Sequence, residues 1–205
     1  MAKYEQRDFS HLLGTPGLSD ALLKQHFELY AGHLNNVNAL TDELAGAPLN
    51  GTPSLDWSEL KRRFSWEWNG MRLHELYFEN LTRNPAPPEK GSVLGTRLVA
   101  DFGSFLSWVK DFRATGSLRG IGWAALVWDG VAGRLHDIWI DEHDGGHLAG
   151  CSVILVMDVF EHAFAADYGA KRGRYIDAFL SAVDWSVAER RFEAAQASVL
   201  VLAGP

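Results

Sequence analysis

Apolar residues recur at helical spacing through most of the first eighty positions. After turn residues Gly14, Pro16 and Gly17, Ser19 offers an N-cap and Asp20 a favourable first-turn carboxylate. His26, Tyr30, His33, Val37, Leu40 and Leu44 then follow one another by threes and fours, which at roughly 100° per residue forms one stripe. Gly46, Pro48, Gly51 and Pro53 end the run. Ser54 caps a second, in which Trp57, Leu60, Phe64, Trp68, Met71, His74, Phe78 and Leu81 share a face. Two long amphipathic helices with a Gly/Pro connection predict an antiparallel hairpin. Both stripes carry histidine in an otherwise largely apolar row.

The segment from Asn84 to Gly91 predicts a linker, dividing the chain into a hairpin domain over 1–90 and a second domain over 91–205. Residues 92–118 read mostly as helix, with Phe102, Phe105, Trp108 and Phe112 at helical spacing. Beyond Gly120 the pattern changes. Residues 122–128 and 135–140 are short apolar runs around Asp129, Gly130 and Gly133, the signature of a β-hairpin. A Gly-rich loop over 141–150 holds His143 and His147, and 152–157 predicts a third strand ending at Asp158. Helical character returns over 159–167 and 174–191, with Asp184 placed to cap a last short helix. The tail from Ala194 onward receives no role. The fold class is α+β: an N-terminal antiparallel helical hairpin followed by an α/β domain.

Composition narrows the partners. Of 205 residues 47% are hydrophobic, enough for a sizeable core. A net charge of −7 argues against non-specific nucleic-acid binding, which needs a basic footprint. No apolar run reaches membrane-spanning length, and the first residues lack an apolar signal core, so a cytoplasmic protein with no membrane partner is expected. Cys151 is the single cysteine, which excludes an internal disulfide and a Cys-x-x-Cys zinc site.

The chemistry concentrates in Leu155 to Phe164, where an apolar strand run gives way to Asp158 and His162, four residues apart. His26 and His74 lie on the inward stripes of two helices that should face each other. Three imidazoles and one carboxylate from separate elements make an N₃O set suited to a first-row metal. His11 and His136 have no such setting, and His147 is left open. Other metal motifs fail: there are no paired Glu-x-x-His motifs, His74-Glu75 does not continue into His-Glu-x-x-His, and His26-Phe27-Glu28 places its ends on different helix faces. Neither a Gly-x-Ser-x-Gly elbow nor a phosphate loop is present. With three neutral imidazoles, one carboxylate and a trivalent ion carrying hydroxide, gain of one electron and one proton leaves the site's net charge unchanged. A low-dielectric pocket favours such coupled steps.

Five segments identify a family that the chain resembles from about residue 18 to 192: Asp158-Val159-Phe160-Glu161-His162-Ala163, Gly120-Ile121-Gly122-Trp123-Ala124, Asp101-Phe102-Gly103-Ser104-Phe105, Asn69 to His74, and Tyr175-Ile176-Asp177-Ala178-Phe179. They are similar to segments of the iron/manganese superoxide dismutases, and follow one another along the chain in the same order. The resemblance implies a three-stranded antiparallel sheet in the second domain. It also implies superoxide as substrate, one Fe or Mn ion per subunit, and His26, His74, Asp158 and His162 as ligands. Glu161 would reach a partner's ligand histidine in a homodimer or tetramer formed through the metal-site face. His143 would hydrogen-bond metal-bound solvent, since Gly70 stands where many members have Gln. Trp123 is retained in the aromatic shell.

Departures gather in the first helix. His33 falls where the family has a gateway Tyr, but one residue closer to His26, with Tyr30 between them; a π-bulge or shifted turn would absorb the difference. Ala125 and Phe160 replace usual tryptophans, and Ala165 a usual Tyr. Val156 resembles neither the manganese-type Gly nor the iron-type Thr at its position, which hints at iron or mixed preference. Lys24, Lys171 and Arg172 are candidates for steering the anion. The competing readings are a weakly active or inactive metal-binding homologue and a metal-dependent peroxidase-like enzyme.

Overall fold

The structure, a computed structural model, describes residues 2–46 and 51–202, the last four of these as backbone only. Pro48 and the end of the tail lie outside the described residues. Helices α1 (Asp20–Gly46) and α2 (Leu55–Glu79) form the expected hairpin. Ser19 Oγ accepts from the Leu22 amide at 3.1 Å and Ser54 Oγ from the Trp57 amide at 3.1 Å, so both sequence caps are realised. Helix α1 is α-helical along its whole length and contains no π-bulge. Its buried face runs Leu22, Leu23, His26, Tyr30, Leu34, Val37, Leu40. The α2 stripe is uneven: Trp57, Leu60 and Phe64 are half-buried, and burial becomes complete only from Glu67 onward. The far half of the hairpin therefore projects, and the near half carries both histidines into the core.

Residues 92–118 form two helices rather than one, α3 (Val93–Phe102) and α4 (Phe105–Gly116). Gly103 takes φ 83°, and Ser104 Oγ caps the second helix by accepting from the Ser107 amide at 3.0 Å. The aromatic ladder hid the break, because phase alone does not register a Gly-Ser pair that ends one helix and caps the next.

Strands β1 (Gly122–Asp129), β2 (Arg134–Asp141) and β3 (Ser152–Asp158) make an antiparallel sheet in the order β2-β1-β3. Central β1 is buried from Gly122 to Trp128, with no solvent face. Its start needs glycine: Gly122 has φ 152°, and a Cβ there would lie 2.0 Å from the Ile140 carbonyl oxygen. Register places Trp123 opposite Asp158 on β3 and Ile140 on β2. After β3 the chain makes a 3-10 turn (Glu161–Ala163) and the short α5 (Ala165–Tyr168) in place of one continuous helix. Helices α6 (Arg172–Ser181) and α7 (Trp185–Leu202) follow, and Asp184 Oδ1 accepts from the Ser186 amide at 3.0 Å as α7 begins. Helix α7 is longer than expected and takes in the tail as far as Leu202.

Three bonds fix the end of the hairpin to the sheet and to α7. Asn80 Nδ2 donates to the Val156 carbonyl at 2.7 Å, and Arg191 of α7 grips the Leu76 carbonyl at 3.1 Å and Glu79 at 2.5 Å. No helix among the described residues is long and apolar enough to cross a membrane.

Candidate metal centre

Four side chains from the hairpin and the sheet converge. His26 and His74 come from facing turns of α1 and α2, Asp158 from the last position of β3, and His162 from the turn behind it. One donor atom from each lies within 4.8 Å of all the others. His26 Nε2 and His162 Nε2 are each 3.0 Å from Asp158 Oδ2, and His74 Nε2 is 3.6 Å from it. His26, His74 and Asp158 are buried; His162 is partly exposed.

Their surroundings orient them. His74 Nδ1 donates to the Gly70 carbonyl at 2.6 Å, one helical turn back. That bond places the proton on Nδ1 and leaves the Nε2 lone pair free. This Nε2 is fully buried and has no hydrogen-bond partner among the described residues. Asp158 Oδ1 accepts from the Phe160 amide at 2.8 Å, and Tyr175 donates to the Asp158 carbonyl at 2.6 Å. Burial lowers the basicity of His26 and His74, with the Asp158 carboxylate opposing it. Burial would also raise Asp158, but charge and hydrogen bonds from His162 and His26 hold it well below the usual carboxylate range. His162 goes up, because Asp158 outweighs burial there.

An orphaned imidazole nitrogen inside a low-dielectric core, facing two more imidazoles and a carboxylate, fits a first-row metal such as iron or manganese. The donor set and its burial accept the ion that the sequence implies.

Beside this cluster Trp123 Nε1 donates to His143 Nδ1 at 3.1 Å, and both residues are buried. Phe160 stacks between His143 and His162, with ring centroids 4.7 and 5.2 Å away.

Residues 90–191 match the C-terminal domain of iron/manganese superoxide dismutases. An iron superoxide dismutase of Cupriavidus metallidurans is 37% identical over 185 residues, covering 87% of this chain and 90% of its own length. A manganese superoxide dismutase of Haloarcula marismortui is 44% identical over 179 residues, 87% of each chain, and one of Haloferax volcanii is 34% identical over 181 residues, 88% of this chain and 89% of its own. The chain belongs to the iron/manganese superoxide dismutase family.

This dismutase family member builds its outer pocket in an unforeseen way. His33 packs against His74 and His143, with ring centroids 5.2 and 4.8 Å apart. It occupies the space over Gly70, where an added Cβ would lie 2.7 Å from His33 Nδ1. The absence of a side chain at Gly70 and the placement of the His33 ring thus go together. Tyr30, although on the same stripe, is engaged elsewhere: its hydroxyl donates to Glu75 Oε1 at 2.9 Å and accepts from the Arg7 amide at 3.2 Å, while its ring packs on Phe9 and Phe78. Burial, with Glu75 adding to it, pushes the Tyr30 hydroxyl up to about 12. Glu161 is exposed and lines a surface cleft with Arg119 and Arg172. His147 Nε2 lies 2.9 Å from the His143 carbonyl. Ala125 is buried in β1 and Ala165 is exposed.

Sequence reasoning missed Glu67, Trp66 and Glu142. Glu67 is 1% exposed and bonds His33 Nδ1 at 2.7 Å. Trp66 lies edge-on to His143 at 4.4 Å and donates through Nε1 to Glu142 at 2.7 Å. Glu142 has φ 48°, the one described non-glycine residue with positive φ, directly before His143. The available signal was the position of Glu67, two turns before His74 and so on its inward face.

Proposed function

We propose that this chain is a superoxide dismutase in which His26, His74 and His162, through Nε2, and Asp158, through Oδ2, hold one iron or manganese ion per subunit. The observation that carries this reading is the orphaned His74 Nε2 inside a cluster whose donor atoms lie within 4.8 Å of one another. A bound ion would supply the one-electron oxidation and reduction that convert two superoxide anions and two protons into oxygen and hydrogen peroxide.

The chain's own side chains control protons and water. His143 accepts from Trp123 at Nδ1, so its own proton is on Nε2, where it can be donated. Burial, reinforced by the neighbouring His33, pushes His143 down to about 3 and keeps it neutral. His33 stands beside His143 with its Nδ1 2.7 Å from Glu67 Oε2. Trp123, Phe160 and Trp66 wall the pocket and limit water. Tyr30 contributes by holding α1 against α2 through Glu75.

In this reading the exposed Glu161 rim is the contact face of a homodimer or tetramer, and Glu161 reaches the partner's ligand histidine. Residues 1–90 and 91–205 act as two units joined at the cluster, Lys171 and Arg172 assist anion approach, and the protein works in the cytoplasm. Val156, fully buried in β3, is compatible with iron or with either metal; named relatives include both iron and manganese enzymes. Reconstitution with each metal, followed by elemental analysis and a superoxide-consumption assay, tests the reading. One form should retain about one ion per chain and outpace the free metal by orders of magnitude. Retention of metal without turnover would select the inactive-homologue reading.

A further inference from the structure

Glu67 is a buried carboxylate whose two oxygens face different groups. Oε1 accepts from Arg63 Nε at 2.8 Å and from Asn36 Nδ2 at 3.0 Å, while Oε2 lies 2.7 Å from His33 Nδ1. Guanidinium and amide nitrogens only donate, so Oε1 is committed. Paired with the Arg63 guanidinium, Glu67 is a carboxylate, so Oε2 also accepts and the His33 proton belongs on Nδ1. No other described residue hydrogen-bonds the His33 imidazole, and its ring sits in the space that Gly70 leaves. The same Arg63 guanidinium lies 4.0 Å over the Trp66 ring, which meets His143 edge-on. Asn36 and His33 come from α1, Arg63 and Glu67 from α2, so the carboxylate is locked by both helices.

We propose that Glu67 is a positioning residue for His33: it fixes the Nδ1–H tautomer and the ring's orientation, so that Nε2 presents a lone pair to the pocket shared with His143. The use of that lone pair in turnover rests on the dismutase reading above; the tautomer does not.

Neutron diffraction of the metal-loaded full-length protein, crystallised from D₂O, locates the deuteron. It should sit on His33 Nδ1 in the wild type. In Glu67→Gln the shape is kept, but Arg63 and Asn36 claim the amide oxygen and turn its NH₂ toward His33. The deuteron should then move to Nε2. In the same variant kcat should fall about tenfold or more with metal content unchanged. A wild-type deuteron on Nε2, one on Nδ1 in both proteins, or a moved deuteron with unchanged kcat would each overturn the proposal. Should Glu67→Gln not fold, the wild-type deuteron alone decides. If the wild-type protein consumes no superoxide, the functional reading fails while the deuteron positions still judge the tautomer.

Discussion

The two edge strands of one sheet each carry a carboxylate withdrawn from water, with opposite outcomes. Asp137 on β2 receives one hydrogen bond, from Trp108 Nε1 at 3.1 Å, and its Oδ2 has no partner among the described residues. Burial pushes its carboxyl up to about 8, with Trp108 opposing and Asp111 adding to the rise. Asp158 on β3 is more deeply buried, yet stays ionised because imidazoles and a backbone amide face it. Burial does not make a site. A site arises where several elements deliver partners to the same oxygen, and here the hairpin delivers two of the three imidazoles.

The largest effect should come from removing the charge that organises the cluster. Asp158→Asn keeps the volume and should weaken metal retention about 100-fold or more, read by elemental analysis after exhaustive dialysis. Undiminished retention would break the contrast. Next, Gly70→Ala should destabilise the metal-free protein by about 1–3 kcal/mol in chemical denaturation, because the new methyl meets the His33 ring. Adding His33→Ala should recover about 1 kcal/mol or more of that cost; strictly additive losses would show that the two positions do not share one space.

The β2 carboxylate gives the opposite sign. Its native pKa lies above the unfolded one, so the unfolded state loses the proton first as pH rises from about 4 to 8, and stability drains away across that window. Asp137→Asn should therefore stabilise the protein by about 1–3 kcal/mol at pH 8 and by little below pH 4. A gain that persists at pH 4 would assign the effect to packing instead. The smallest change is expected for Tyr175→Phe, which removes one donor from the Asp158 carbonyl: about 1 kcal/mol in denaturant melts. A much larger loss would mean that Tyr175 also organises the neighbouring Tyr77 hydroxyl, 3.2 Å away.

The inner cluster was legible because each residue announces itself locally. His26 and His74 interrupt apolar stripes, and Asp158 and His162 leave an apolar strand at a spacing that lets both turn back to one point. The three-strand pattern was equally readable from turn residues and short apolar runs. The outer pocket was not. Glu67 follows Arg63 by four residues, which reads as an ordinary solvated ion pair on a helix. Only the return of α1 brings His33 and Asn36 against it, 34 and 31 positions away. Tyr30 and His33 share a stripe on paper, yet the unbroken α-helix sends one hydroxyl to Glu75 and one imidazole to Glu67. The break at Gly103 and the 3-10 turn after β3 were missed for a related reason: side-chain phase survives a change of backbone that caps and local turns decide.

The convergence of His26 and Asp158 has a mechanical side. The two residues are 132 positions apart, and an ion gripping both would fasten the first helix to the last strand. Closing a loop of that length withdraws about 5 kcal/mol of freedom from the unfolded chain. Such a fastener couples loss of the ion to loosening of the hairpin from the sheet, so chelation should turn one sharp melting transition into a lower and broader one.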